Sequence, residues 1–211
     1  MPPKKPGSRP PAASRNVRRP IKSDPAKGSR SWEALAPWYD GWVGRGGSHY
    51  HQKIALPTTM ALLALKPGER VLDLGAGTGV LAPHVLKTGA EYVGVELSPS
   101  LVKLARQHHS ARAPQAKGQR PRRNPSSQPT PTFLQGDVRK LADLGVELES
   151  FQAAAFVLSL QDMTPLGEVV AAASWALAPG ARLVAFMIHP CFRVPRQSGW
   201  GFDAGRKLTY R

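Results

Sequence analysis

Asp73, Gly75, Gly77, Gly79 and Glu96 are the residues whose types and spacing suit ligand chemistry. They lie in Arg70–Val80, RVLDLGAGTGV, and Tyr92–Pro99, YVGVELSP. Val71, Leu72 and Leu74 form an apolar run suited to a strand buried on both faces, and the glycines remove Cβ atoms where the chain turns sharply toward a ligand. Glu96 stands 21 positions after Gly75, at the end of a second strand, where an acid accepts hydrogen bonds from ribose hydroxyls. The pattern implies a nucleoside-bearing ligand. A dinucleotide turn, G-x-G-x-x-G, needs its third glycine at position 80, but that residue is Val80 and the glycine comes one place early at Gly79. Asp73 is a second departure, since a carboxylate there suits a cationic or zwitterionic group better than a pyrophosphate.

The elements around these residues alternate. Strands are expected at about Arg70–Gly75, Tyr92–Leu97, Thr132–Gly136, Ala153–Leu160 and Arg182–Ile188. Helices are expected at about Val80–Lys87, Ser100–His109 and Pro165–Leu177, the first aiming free N–H groups and its positive dipole end at the ligand. Ser98-Pro99 reads as a helix start and Ala178-Pro179-Gly180 as a helix stop. Such alternation predicts an α/β fold, a doubly wound parallel sheet of order 3-2-1-4-5 with its ligand at the strands' carboxyl ends. Before the first strand, Trp32–Trp42 reads as a short aromatic segment, followed by a glycine-rich loop and an amphipathic helix over Tyr50–Leu65.

Asp73, the three glycines and Glu96 together resemble the S-adenosylmethionine-dependent methyltransferases of the Rossmann-like class, small-molecule type. The resemblance runs from about Trp38 to His189. It implies S-adenosyl-L-methionine as cofactor, with Asp73, Gly75 and Gly77 lining its methionine part, Gly79 shaping the turn, and Glu96 and Leu97 holding the ribose. Gly136-Asp137-Val138 resembles the family's adenine site, where Asp137 accepts from the exocyclic amine; a plain cap of the following turn is the competing role for that acid. Leu158, closing the fourth strand, completes the cofactor set, and the segment after it lacks the Asn/Asp-Pro-Pro-Tyr-type motif of base-amine methyltransferases. Trp38, Tyr39, Trp42, Tyr50 and His51 occupy the place of a lid, with Tyr39 and Tyr50 as cofactor contacts because aromatic faces suit a sulfonium. Methyl transfer from a sulfonium needs alignment and exclusion of water rather than a triad or a metal. The candidate proton acceptors are His51 and His189, with His49 beside them, whereas His108 and His109 are expected to be solvated.

Charge divides the chain. The net charge of +15 is concentrated in Met1–Ser31, which has nine Lys or Arg and one acid, and in Arg106–Pro131, which has six and none. Without these stretches the remainder is nearly neutral. Both are rich in proline and poor in apolar side chains, so residues 1–31 are expected to be a disordered basic tail and 110–131 a disordered insert in a methyltransferase domain over 32–211. Weak, salt-sensitive contact of the tail with a polyanion is compatible with this composition. Cys191 is the single cysteine, no secretory signal is present, and no run of 18 apolar residues exists. A cytoplasmic protein without a membrane partner is therefore expected. The resemblance also implies a further helix and antiparallel hairpin after the fifth strand, for which Pro190–Arg211 is short, so a fragment or pared-down form is expected. The leading function is methyl transfer to a small-molecule acceptor; the alternatives are an RNA or protein methyltransferase tethered by its tail, or a non-catalytic cofactor-binding remnant.

Overall fold

The computed structural model describes residues 28–110, 130–189, 201–203 and 208–210. Five strands form one parallel sheet: β1 (Arg70–Leu74), β2 (Glu91–Glu96), β3 (Thr132–Gln135), β4 (Phe151–Val157) and β5 (Leu177–Phe186), in the order β3-β2-β1-β4-β5. Five helices accompany them: α1 (Gly28–Val43), α2 (Leu56–Leu63), α3 (Ala82–Leu86), α4 (Pro99–His109) and α5 (Leu166–Ala176). The predicted α/β fold and strand order are therefore present, with the order reversing beside β1, where β2 and β4 flank it.

Side-chain alternation along the strands builds a core on each face. Val71, Tyr92, Ala153, Ala155 and Val184 pack with Leu56, Leu63, Val85 and Val102 on one side; Leu72, Leu74, Val95, Ala154 and Phe156 pack with Val169, Ala173 and Ala176 on the other. Ser98 caps α4, its hydroxyl accepting from the Leu101 amide at 3.2 Å, with Pro99 in the first turn as expected.

Four local expectations are corrected. The helix after the glycine turn does not start at Val80: the Gly79 and Ala82 amides are spent on turn bonds to Ala76 and Gly79, and α3 spans only five residues. So short a helix contributes little dipole to a ligand. The aromatic segment belongs to a 16-residue helix, α1, whose start at Gly28 takes in the backbone of the last residues of the expected tail; residues 1–27 and 111–129 lie outside the described residues. α5 ends at Ala176, but Ala178-Pro179-Gly180 lies inside β5 rather than before the strand, as an irregularity where the register against β4 shifts between Phe151 and Ala153. Pro190–Arg211 does hold a hairpin: β6 (Gly201–Asp203) and β7 (Leu208–Tyr210) pair antiparallel as their own two-stranded sheet, separate from β5. Cys191 lies outside the described residues, among which no helix is long and apolar enough to cross a membrane.

Gly79 shows how tightly the turn is held. Its φ of +76° is a left-handed conformation, and a Cβ there would lie 2.6 Å from Cζ of Phe133 on β3. Gly79→Ala should lower the unfolding free energy by about 2–4 kcal/mol, from backbone strain plus overpacking. Urea denaturation tests this, and a loss under about 0.5 kcal/mol would show that Phe133 yields freely.

Candidate functional site

The carboxyl ends of β1 and β2 deliver two acids to one place. Asp73 is paired in register with Gly94, and on β2 Tyr92, Gly94 and Glu96 share a face. Tyr92 donates its hydroxyl to Asp73 Oδ2 at 2.7 Å. Gly94 makes room for this, since a Cβ there would sit 2.8 Å from the Tyr92 hydroxyl oxygen. The second oxygen, Asp73 Oδ1, is buried without a hydrogen-bond partner. Burial pushes the Asp73 carboxyl up to about 7, against the pull of the Tyr92 bond and with a further push from Glu96. An acceptor held dry and unpartnered fits a cationic ligand group.

Glu96, 8 % exposed, accepts from the Gly77 amide at 3.0 Å with Oε2 and from the Ser98 amide at 2.9 Å with Oε1. Burial raises its pKa and these amides lower it. The Leu97 amide also lowers it, and since a carboxylate has about four acceptor positions, capacity remains for a ligand hydroxyl. Gly75, Gly77 and Gly79 all have positive φ, at 78°, 56° and 76°, and the Gly75 and Ala76 amides are both bonded to the Val95 carbonyl. The turn is thus pinned to β2 on one side and covered on the other. A Cβ on Gly75 would meet Ser159 and Met163, and one on Gly77 would meet the Tyr39 hydroxyl oxygen at 3.4 Å.

Tyr39 projects from α1 over this turn, where burial, then the charges of Glu96 and Asp73, push its phenol up to about 12. Trp38 and Trp42, expected in the same lid, point the other way: they are 61 % and 57 % exposed and stack on each other at 5.9 Å. Tyr50 is also not at the glycine turn; its ring lies 6.1 Å from Phe186 at the end of β5. His51 is buried in a π-helical turn, Nδ1 2.8 Å from Ser48 Oγ, and burial lowers its pKa. His189 is exposed beyond the end of β5.

Leu97, just past the end of β2, is exposed, and Val138, in the turn after β3, is buried. Asp137 is engaged by Arg139, whose amide and Nε donate to Oδ1 at 2.9 and 3.0 Å and whose Nη2 approaches Oδ2 at 2.6 Å. Its capping role is therefore realised. Leu158 adopts φ +58°, an unfavourable left-handed conformation for a branched residue, as the chain leaves β4, and its amide donates to the Phe186 carbonyl at 2.7 Å.

Sequence reasoning missed several partners. Tyr92 was detectable from its place two and four residues before Gly94 and Glu96 on one strand face. Glu33 of α1 had no local signal: it accepts from the Ser98 hydroxyl at 2.5 Å and the Ser100 amide at 3.1 Å, and the Ser100 hydroxyl donates to it as well. His109, expected to be solvated, stacks on Phe133 at 5.6 Å with its Nε2 3.2 Å from the Thr78 carbonyl, and His108 Nε2 lies 3.2 Å from Asp40 of α1.

Residues 72–185 match the methyltransferase domain family. The chain belongs to the S-adenosylmethionine-dependent methyltransferases. Its cofactor is S-adenosylmethionine. An uncharacterized methyltransferase of Synechocystis is 28% identical over 182 residues, covering 82% of this chain and 70% of that protein. The ubiquinone biosynthesis O-methyltransferase of Xanthomonas campestris is 38% identical over 71 residues, 34% of this chain. That match spans 29% of the relative's length. A crystal structure of an S-adenosylmethionine-dependent methyltransferase from Mesorhizobium loti superposes with a TM-score of 0.52 and 27% identity, covering 72% of this chain and 61% of that one.

The buried acid of this methyltransferase makes its stability depend on pH. Folding raises the Asp73 pKa from 3.8 to about 7, so the folded state holds a proton in that window that the unfolded chain has released. Asp73's contribution is full below the lower value and is lost as pH rises through the upper one. Relative to Asp73→Asn, the wild-type protein without cofactor should lose stability steadily across the window; urea midpoints of both at matched pH measure the difference, and parallel curves would show that Asp73 is solvated.

Proposed function

We propose that this protein transfers a methyl group from S-adenosylmethionine to a small-molecule acceptor. The observation that carries the reading is the pairing of an unpartnered buried Asp73 oxygen with a Glu96 carboxylate that retains acceptor capacity, both beneath Tyr39. In this proposal Asp73 receives the cofactor's ammonium and Glu96 a ribose hydroxyl, while Gly75 and Gly77 allow close backbone approach. Leu97 and Val138 flank the adenine. Asp137 reaches the adenine amine only by sharing its carboxylate with Arg139.

The cofactor supplies an electrophilic sulfonium methyl; this chain's residues bind, orient and keep water out. Tyr39 covers the turn with an uncharged ring, since a phenol titrating at about 12 stays protonated at neutral pH. Tyr50 and Phe186 form an aromatic wall at the β5 end, which suits an apolar, planar acceptor. His51 is only 3 % exposed and so separated from a dissolved acceptor, which leaves exposed His189 as the proton acceptor of this proposal. The name of the Xanthomonas relative, an O-methyltransferase of ubiquinone biosynthesis, supports a small hydroxylated acceptor.

Calorimetry tests the binding half: S-adenosylmethionine or S-adenosylhomocysteine should bind and NAD should not. Glu96→Ala should weaken cofactor binding by about 1–3 kcal/mol through loss of charge-assisted bonds. Binding of NAD alone, or an unchanged affinity in the variant, would overturn the assignment of these residues.

A further inference from the structure

Tyr92 carries its hydroxyl along β2 toward the carboxyl end of the sheet. In register it stands opposite Val71, while Asp73 stands opposite Gly94, so the ring lies over Gly94 for its hydroxyl to meet Asp73 Oδ2 at 2.7 Å. A Cβ on Gly94 would come within 2.8 Å of that hydroxyl oxygen. The ring has little freedom: Tyr92 is 2 % exposed, and Phe133 of β3 meets it edge-on with centroids 5.6 Å apart. A phenol has one proton to give, so the bond occupies one oxygen of Asp73 and leaves Oδ1 dry and unpartnered. It also fixes the rotation of the carboxyl about its terminal torsion, which is otherwise broad, and with it the place of Oδ1.

The surroundings of Asp73 otherwise oppose its ionisation. Burial acts against the charge, and Glu96 of β2 adds a like charge. On α1 the Tyr39 phenol is neutral, and the β4 residue paired with Asp73 is Ala155. Among the described residues, the Tyr92 hydroxyl is the group that favours the charged form. Burial, then the charge of Asp73, hold the Tyr92 phenol well above its ordinary value, so it remains a donor.

We propose that Tyr92 is a positioning residue for the cofactor: its hydroxyl holds one oxygen of Asp73 so that the other is presented, ionised, to the ammonium of S-adenosylmethionine. The inference rests on the reading above that Asp73 receives that ammonium. A charge-assisted bond needs an ionised partner, and a protonated Asp73 would offer only a neutral oxygen. Arrival of the ammonium therefore displaces the proton that Asp73 holds, which leaves to solvent, and the Tyr92 bond makes that displacement easier. A tyrosine that only packs the sheet would have no such link to ligand binding.

Titration calorimetry with S-adenosylhomocysteine, which bears the same ammonium, measures affinity and, in buffers of different ionisation enthalpy, the protons released. Binding to the wild-type chain should release a proton fraction that rises as pH falls below about 7. Tyr92→Phe should enlarge the release at neutral pH and weaken binding there by about three- to tenfold, with the deficit narrowing as pH rises. Asp73→Asn should abolish the release, which separates Asp73 from Glu96, and Tyr92→Phe in that background should weaken binding no further. Urea midpoints establish that each variant is folded. Unchanged affinity and proton release in Tyr92→Phe, or the same loss of affinity in the Asp73→Asn background, would make Tyr92 a packing residue and overturn the inference. So would wild-type binding without proton release at mildly acidic pH, whatever the variants do. Unchanged affinity in Asp73→Asn itself would instead overturn the reading of Asp73 as the ammonium's partner, and the inference with it.

Discussion

The carboxylate of Glu96 ties together the two turns on which this site depends. One oxygen holds the amide of Gly77 in the turn after β1, the other the amide of Ser98 in the turn after β2. That bridge adds to the bonds of the Gly75 and Ala76 amides to the Val95 carbonyl and extends the attachment of the glycine turn to the start of α4. The same acid is then the group best placed to meet a ribose. Its structural bonds use the backbone and leave acceptor capacity open, so one side chain both sets the geometry and reads the ligand.

A second acid beside it creates the electrostatic character of the site. Asp73 and Glu96 are both buried, and both are pushed upward by loss of water. The protein offsets part of that penalty for Asp73 with the Tyr92 hydroxyl and leaves the other oxygen unmatched. Such a site is strained toward accepting positive charge, which distinguishes it from a pyrophosphate cradle built of amides alone. Tyr39 above it is neutral for the same reason: a phenolate beside two buried carboxyls would be strongly unfavourable.

The helix that carries Tyr39 shows how one element serves two surfaces. Glu33 bonds to the first turn of α4 and Asp40 approaches its last, while Ala36 and Val43 are buried and Val43 and Tyr39 pack into the core, so α1 is held by polar contacts as well as by an apolar stripe. Leu35, Trp38 and Trp42 are left facing outward. Pro37 inside the helix removes one backbone donor without ending it.

The sheet, its strand order, the glycine turn and the kind of ligand were legible in the sequence because each rests on local rules: apolar runs for buried strands, glycines for positive φ, and an acid at a strand end one βαβ unit away. The position of Gly79, one place early, was enough to set aside a dinucleotide. Tertiary structure alone decided which partners those residues have. Tyr92 reaches Asp73 only because Gly94 lacks a side chain, Asp137 turns to Arg139, and His109 stacks on Phe133 of a different element. The direction in which α1 presents its tryptophans was equally hidden, since a helix of mixed aromatic and acidic residues can bury either face. Which one it buries depends on Ser98, Ser100 and His108, more than 60 residues away in sequence and adjacent only once the sheet has formed.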